Sequence, residues 1–496
     1  MINEKYSIKK NKLQNRIEPF LFNELDQNLY NCQRRKASSL LTWNRLDLAF
    51  KLFYLDIKDK NKEYAKKIYM QDIKAQTLGK FEEYGNKKKN SFEKYIDDFN
   101  TTFESIKKNG FDKDTTLLPL SKNNTIRNGS HRLACAIYLK KEVECVNLNC
   151  NDFIVDYNYF YERDVSEDIL DTVTNKFIEY ADNVYIAFLW PSGVDNKKEA
   201  ESKFSKIIYK KEIQLNIQGA LNLLIELYKH MEWVGTIENG FQGANQKLIE
   251  CFPNFNSVKV IAFQADNLNE VRKIKEEVRK IYNIGFSSIH ITDTKEEAIR
   301  ISKLVFNENG LHFLNNATPY KYVILHKELE KFEIFLKSKN IPLDDVLIDS
   351  STILALYGIR KNNDIDYLSF YDISHETLYE NHDQELKYYN DNKEDLIYNQ
   401  KNFFHYKKFK FLSFKQLYIM KKNRNQKKDI YDCKSMNALI ENDKIKKTFA
   451  IIKQKLFYQR VKTYKNYNKF KLYILKKTGL YTPLRAIYHK IKGIKV

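Results

Sequence analysis

The stretch that most restricts what this chain can fold into is residues 346–368, VLIDSSTILALYGIRKNNDIDYL. It opens on an apolar run, Val346, Leu347 and Ile348, that reads as a buried strand. A hydroxyl-rich turn follows at Ser350, Ser351 and Thr352, then a short apolar helical segment (Ile353, Leu354, Leu356, Tyr357) and a Gly-Ile-Arg corner. A second strand carries Asp364-Ile365-Asp366. Alternation along that strand places Asp364 and Asp366 on one face and turns Ile365 into the core. Two carboxylates so close repel each other, and a fold accepts the pair most readily with a cation between them. The turn offers backbone N–H groups and serine oxygens to a phosphate. Together these are the parts needed to hold a nucleoside triphosphate with Mg2+ or Mn2+. An Asp-x-Asp after a strand also serves as a solvated turn or a helix-capping pair, so the pair alone decides nothing.

The order of strand, serine turn, short helix and Asp-x-Asp strand resembles the signature of nucleotidyltransferases related to DNA polymerase β, in which Gly-Ser or Gly-Gly-Ser precedes the helix. Downstream, Lys427-Lys428-Asp429-Ile430-Tyr431-Asp432 resembles the Lys/Arg-Asp-x-x-Asp helix of the minimal and abortive-infection branches of that superfamily. The resemblance implies that Asp364 and Asp366 are the catalytic metal ligands. It implies Ser351, with Ser350 and Thr352 beside it, and Lys428 as nucleotide or phosphate contacts. Two departures stand out. Asp349 and Ser350 replace the glycines, and Asp349 would bring negative charge near a phosphate. No third carboxylate is marked by the pattern; Asp395 is a candidate.

A second motif lies upstream. Residues 117–120 and 124–127 read as short strands feeding Asn128-Gly129-Ser130-His131-Arg132, a helix LACAIYL and a further strand EVECVNL. A glycine turn opening a helix directs free N–H groups and the helix dipole at an anion, which an arginine can grip bidentately. The segment is similar to the Asp/Glu-Gly-x-His-Arg box of the ParB and sulfiredoxin-like superfamily. That resemblance covers residues 40–160 and implies a nucleotide or phosphate site at Gly129, Ser130, His131 and Arg132, with Asn128 in place of the acidic residue. The alternative is that His131 and Arg132 cap and brace a small α/β subdomain.

Between the two motifs, helix and strand alternate: a helix through 165–180, a strand over 184–189, a helix with 221–228, a strand over 258–263, a helix over 269–281 and a strand over 288–291. Thr294 then reads as the N-cap of a helix with Glu296 and Glu297 in its first turn. His290-Ile291-Thr292-Asp293-Thr294 and Trp190-Pro191-Ser192-Gly193-Val194 faintly resemble turns of nucleoside diphosphate kinases, without that family's lysine and aspartate. Past residue 368 the sequence predicts a polar helical insertion over 375–390, strands near Leu396 and over 403–406 and 409–412, and a helix over 414–421. Lys421, Lys422 and Arg424 lie where a triphosphate or acidic acceptor could be gripped, although solvated lysines are common.

The expected organisation is thus multidomain α/β (α+β): an N-terminal arm over 1–40 with a helix in 19–29, a ParB-like domain over 41–160, a central α/β domain over 161–318, a nucleotidyltransferase-like domain over 319–443 and a basic amphipathic tail over 444–496. The 81–89 segment, FEEYGNKKK, reads as a charged turn. With 43% hydrophobic and 30% charged residues, and only 14 Gly and 7 Pro, the composition suits a globular chain and excludes collagen-like or proline-rich disorder. Six scattered cysteines without a CxxC pair argue against a zinc ribbon or a disulfide framework. Neither a transmembrane run nor a secretory signal is evident, so a cytoplasmic location is expected.

The net charge of +20 is concentrated in the tail, whose sixteen Lys or Arg and no acids leave only about +4 for everything before. Basic residues interleaved with Tyr, Phe, Leu and Ile suit an anionic membrane surface at the inner face, or single-stranded nucleic acid. The end of the tail resembles those of bacterial enzymes that build capsule and lipopolysaccharide. The expected function is a metal-dependent transferase of surface-polysaccharide assembly, taking a nucleoside triphosphate or nucleotide-sugar and a sugar or lipid-linked acceptor. A ParB-like nucleotide-sensing or nucleic-acid-binding regulator, and a toxin-like nucleotidyltransferase acting on tRNA or protein, are the alternatives.

Overall fold

The computed structural model describes residues 5–82, 89–371 and 379–440, and beyond them 456, 459, 463 and 466–485. Two compact units result, Met1–Met436 and Asn437–Val496. The first is a mixed α/β body built on three sheets.

Strands β1 (Lys5–Lys9), β2 (Leu29–Lys36), β3 (Leu118–Leu120) and β4 (Glu142–Asn147) form the first sheet in the order β1-β2-β4-β3. Residues 5–9 of the expected N-terminal arm are therefore a paired strand. Alternation in β2 buries Tyr30 and Cys32, which pack with Leu13, Ile17, Leu21 and Val146. The helix expected over 19–29 shrinks to Pro19–Asn23 because the chain turns into β2. The strand expected over 124–127 reduces to one bridge between Ile126 and Leu120. Helices Asp47–Ile57, Lys62–Gln76, Phe92–Asn109 and Ser130–Tyr138 accompany this sheet. Phe92–Asn109 starts at the Ser91 cap and stops at Gly110, whose φ of 75° suits glycine. Residues 83–88 of the expected charged turn lie outside the described residues.

The second sheet holds β5 (Val184–Leu189), β6 (Ile207–Ile213), β7 (Val258–Gln264) and β8 (Ile289–Ile291) in the order β6-β7-β5-β8, with every neighbouring pair antiparallel. Helix Leu268–Tyr282 buries Val271, Ile274 and Val278 against it, an apolar stripe at helical spacing. Thr294 caps helix Lys295–Val305 by accepting from the Glu297 N–H, as the sequence predicts.

In the third sheet, β9 (Val346–Asp349), β10 (Ile365–Ser369), β11 (Tyr379–Asn381), β12 (Phe403–Tyr406) and β13 (Phe409–Leu412) take the order β11-β10-β9-β13-β12. The strand expected near Leu396 is instead a helix, Lys393–Tyr398, capped by Asn392 and burying Leu396 and Ile397. The insertion expected to be helical contributes the strand β11 and a 3-10 turn, Asp383–Tyr388, while 375–378 lie outside the described residues.

Side-chain clasps join the sheets. Gln264 at the end of β7 accepts from the Trp43 N–H at 2.7 Å and donates to the Leu41 carbonyl at 2.9 Å. Lys60 pairs with buried Asp345 at 2.9 Å, and Asn61 donates to Asp395 at 2.9 Å. Gln400 donates to the Phe306 carbonyl at 2.8 Å, and Asn307 to the Phe403 carbonyl at 3.0 Å.

In the second unit, residues 466–477 are helical, with Tyr467, Phe470, Tyr473 and Ile474 exposed. Most of the expected basic tail otherwise lies outside the described residues. Among the described residues, no helix is long and apolar enough to cross a membrane.

Candidate functional site

The apolar run 346–348 forms β9, and the antiparallel pairing of β10 against it sets Asp366 opposite Asp349. The helix between them, Ser351–Leu356, is short and wholly buried. Ser350 precedes it with φ 56° and ψ −125°, a conformation that favours glycine. The turn thus carries a serine in a backbone shape that glycine adopts most readily. Ser351 and Thr352 are also buried, and both contact Asp364: Ser351 Oγ donates to its carboxylate at 3.4 Å, and Thr352 Oγ1 to its carbonyl at 3.3 Å.

Asp364 stands one residue before β10 rather than within it, yet its carboxylate converges with that of Asp366. A third carboxylate joins them. Glu380 on β11 lies in parallel register with Asp366, and oxygens of Asp364, Asp366 and Glu380 lie within 4.8 Å of one another. Asp395, the sequence's candidate for that place, instead accepts from Asn61. Glu380 carried no local signal: it is one acid in a polar stretch, and only pairing across the sheet brings it to Asp366.

Burial pushes the Asp366 carboxyl up to about 6; His382 opposes that rise, and the Asp364 and Asp349 charges add to it. The His382 ring sits between the two strands, its Nδ1 3.2 Å from Asp349 Oδ2 and its Nε2 3.4 Å from Asp366 Oδ1. Burial would lower its pKa, but the Asp349 hydrogen bond and the two carboxylate charges hold it above the ordinary value. Burial would raise the Asp349 carboxyl, yet His382, Tyr389 and the Ser350 N–H hold it below the usual range. Asp349 therefore spends its charge on His382, the Tyr389 hydroxyl and the Ser350 N–H.

A second acidic cluster makes an instructive contrast. Glu167, Asp171 and Glu308 also converge, but Lys211 Nζ sits among them at 2.7, 2.7 and 2.9 Å. That cluster has its cation built in. At Asp364, Asp366 and Glu380, among the described residues, no lysine or arginine forms an ion pair with any of the three; His382 is the basic group in contact. All three donors are hard carboxylate oxygens, the set that suits Mg2+ or Mn2+.

The Lys-Asp-x-x-Asp segment opens helix Lys427–Ile440, as expected. Its aspartates are occupied with bracing the fold. Asp429 holds Arg424 at 2.8 Å and buried Lys421 at 3.3 Å, and Asp432 holds Arg360 at 2.8 Å and Lys421 at 3.0 Å. Lys421 and Arg424 are thereby taken up by carboxylates rather than left to grip a triphosphate. Lys428 and Lys422 are exposed.

In the upstream box, Gly129 adopts φ 85° and opens helix Ser130–Tyr138; a Cβ there would meet Arg132 Nη2 at 2.6 Å and Leu118 Cδ2 at 2.8 Å. Asn128 Oδ1 accepts from the Gly129 N–H at 2.5 Å. Arg132 is braced by Glu18 and the Thr116 hydroxyl. His131 lies edge-on to Phe99 with Nε2 2.6 Å from the Tyr69 hydroxyl, and burial holds its pKa well below the ordinary value. The histidine is thus neutral. Around the box is a cavity of about 700 Å³ lined by Arg45, Lys89, Arg127, Ser130, Arg132 and Phe153. Arg127 stacks over Phe153 at 5.4 Å, and its buried Nε has no hydrogen-bond partner.

His290 lines a separate cavity of about 400 Å³ together with Lys247, Lys275, Arg279 and Trp233. Its Nε2 faces Glu297 Oε1 at 3.5 Å, and burial holds its pKa below the ordinary value. These basic neighbours come from the helices flanking β7 and were not apparent in the linear order. No protein-family model, curated protein or solved structure matches the chain.

Proposed function

We propose that the chain is a metal-dependent transferase whose centre is Asp364, Asp366 and Glu380, moving a nucleotidyl, phosphoryl or phospho-sugar group from a nucleoside triphosphate or nucleotide-sugar. The observation that carries this reading is the convergence of three carboxylates within 4.8 Å with no ammonium or guanidinium paired to them among the described residues. Such a set would hold Mg2+ or Mn2+, which when bound neutralises phosphate charge and lowers the pKa of an attacking hydroxyl. The chain's own residues supply positioning. Ser350 and Ser351 form the bend beside Asp364, and Ser351 Oγ donates to that carboxylate. The resemblance to DNA polymerase β-type nucleotidyltransferases supports the same roles.

The acceptor follows from the tail in this proposal. Exposed Tyr467, Phe470, Tyr473 and Ile474 recur at helical spacing between lysines, a pattern suited to the headgroup region of an anionic membrane. A sugar or lipid-linked acceptor at the inner membrane face, in bacterial capsule or lipopolysaccharide assembly, fits that placement. The test is a thermal-shift panel of nucleoside triphosphates and nucleotide-sugars with Mg2+, followed by turnover assays. Asp364→Asn and Asp366→Asn should each abolish Mg2+-dependent turnover without unfolding the protein; full activity in either refutes the proposal.

A second reading places a nucleotide phosphate at Arg127 Nε in the 700 Å³ cavity of the ParB-like box, where Glu18 Oε2 is likewise buried without a hydrogen-bond partner. If that site governs DNA binding, affinity for DNA falls steeply with salt; indifference to DNA excludes the regulator.

A further inference from the structure

We propose that His382 is the positioning residue for Asp366, and that Asp349 stands in the glycine place of the motif in order to hold His382. This rests on the reading of Asp364, Asp366 and Glu380 as cation ligands. Asp349 and Asp366 are register partners on β9 and β10, and His382 reaches both. Its backbone N–H donates to the Tyr367 carbonyl at 2.9 Å, which fixes the ring over β10. Tyr389 donates its hydroxyl to Asp349 Oδ2 at 2.5 Å, and the Ser350 N–H donates to Oδ1 at 2.5 Å. Both oxygens of Asp349 are thus engaged, and its orientation is fixed before it meets the histidine.

Asp349, His382 and Asp366 are 0%, 7% and 5% exposed, so water does not compete for these contacts. Both ring nitrogens face carboxylate oxygens, Nδ1 that of Asp349 and Nε2 that of Asp366, so the ring bridges the two when each nitrogen carries its proton and donates. With one oxygen so held, the Asp366 carboxylate cannot turn freely about its Cβ–Cγ bond. Its approach to Asp364 and Glu380 is set before any cation arrives. Glu380 and His382 are two residues apart, so one short segment delivers both a candidate ligand and the group that orients a second. The replacement of glycine by Asp349 then has a role: it anchors a histidine that the glycine pattern does not need.

The test is Mn2+ titration of the full chain, followed by the EPR signal of free Mn2+ and the spectrum of the bound ion. His382→Ala should weaken Mn2+ binding by about 10–100-fold, the range for loss of an orienting partner, and broaden the bound spectrum. His382→Gln, whose amide can still donate to Asp366, should recover part of the loss. Tyr389→Phe should weaken binding by a smaller factor. Wild-type affinity in folded His382→Ala overturns the inference while leaving the cation site standing. Should His382→Ala fail to fold, unchanged Mn2+ affinity in Tyr389→Phe overturns it. A wild-type chain that takes up no Mn2+ at millimolar concentration refutes the cation site itself, and this inference with it.

Discussion

Replacing Asp364 with Asn should stabilise the metal-free protein while removing its response to divalent cations. At the 4.8 Å limit of the cluster, two unit charges repel by about 0.9 kcal/mol in water and about 3.5 kcal/mol at an effective dielectric near 20. Asp364 is half-buried and Glu380 exposed, so the lower end applies to that pair, and the Asp364–Asp366 pair lies between the limits. Neutralising Asp364 relieves both repulsions, roughly 2 to 3 kcal/mol. It also weakens the bond that Ser351 donates, about 1 kcal/mol. The net expectation is a gain of about 1 to 2 kcal/mol in EDTA at low salt. In the wild type, Mg2+ at a hundred times its Kd should add about 2.7 kcal/mol; in Asp364→Asn that increment should vanish. Urea denaturation in EDTA and in Mg2+ measures all four states. A variant less stable than wild type in EDTA, or a wild type indifferent to Mg2+, would refute the reasoning.

Three further outcomes concern His326, Ser350 and Asp429. Burial holds His326 at about 4, so its contribution, about 3 kcal/mol, is present in full above pH 6.5 and lost as pH falls from there to about 4, where the unfolded chain takes a proton the folded chain refuses; the stability gap between wild type and His326→Asn should shrink across that window. Ser350→Gly should raise stability by about 1 kcal/mol by removing side-chain strain at φ 56°, read from urea midpoints, and a destabilised variant would show that the bend is not strained. Asp429→Ala leaves buried Lys421 and Arg424 short of a carboxylate and should lower stability by about 3 kcal/mol, with hydrogen exchange accelerating first in helix Lys427–Ile440.

What the sequence disclosed tracks how local each signal is. Val346, Leu347 and Ile348, the serine bend and the Asp pair lie in one short stretch and fold where their pattern places them, except that Asp364 falls one residue short of its strand. The Thr294 cap is equally local. Glu380 and His382 were out of reach because their importance lies in pairing between β10 and β11, which no spacing along the chain encodes. The strand β2 was missed for a related reason: five of its eight residues are polar or charged, and its partner β4 lies over a hundred residues downstream. Near Leu396 a short apolar run suits a strand or a helix alike, and the Asn392 cap decides for the helix. The Lys-Asp-x-x-Asp segment lies on a helix as its pattern predicts, and its carboxylates brace Lys421, Arg424 and Arg360.

The clasps made by Gln264, Lys60, Asn61 and Gln400 bear on how a gene for this protein can be cut. A truncation that removes the first sheet with its helices leaves Asp345 only the Tyr398 hydroxyl and takes Asn61 from Asp395, and one that removes the third takes the carboxylates from Lys60 and Asn61. Fragments designed on sheet boundaries should express poorly, and a clone that keeps all three sheets and helix Lys427–Ile440 whole runs from the first strand through Ile440.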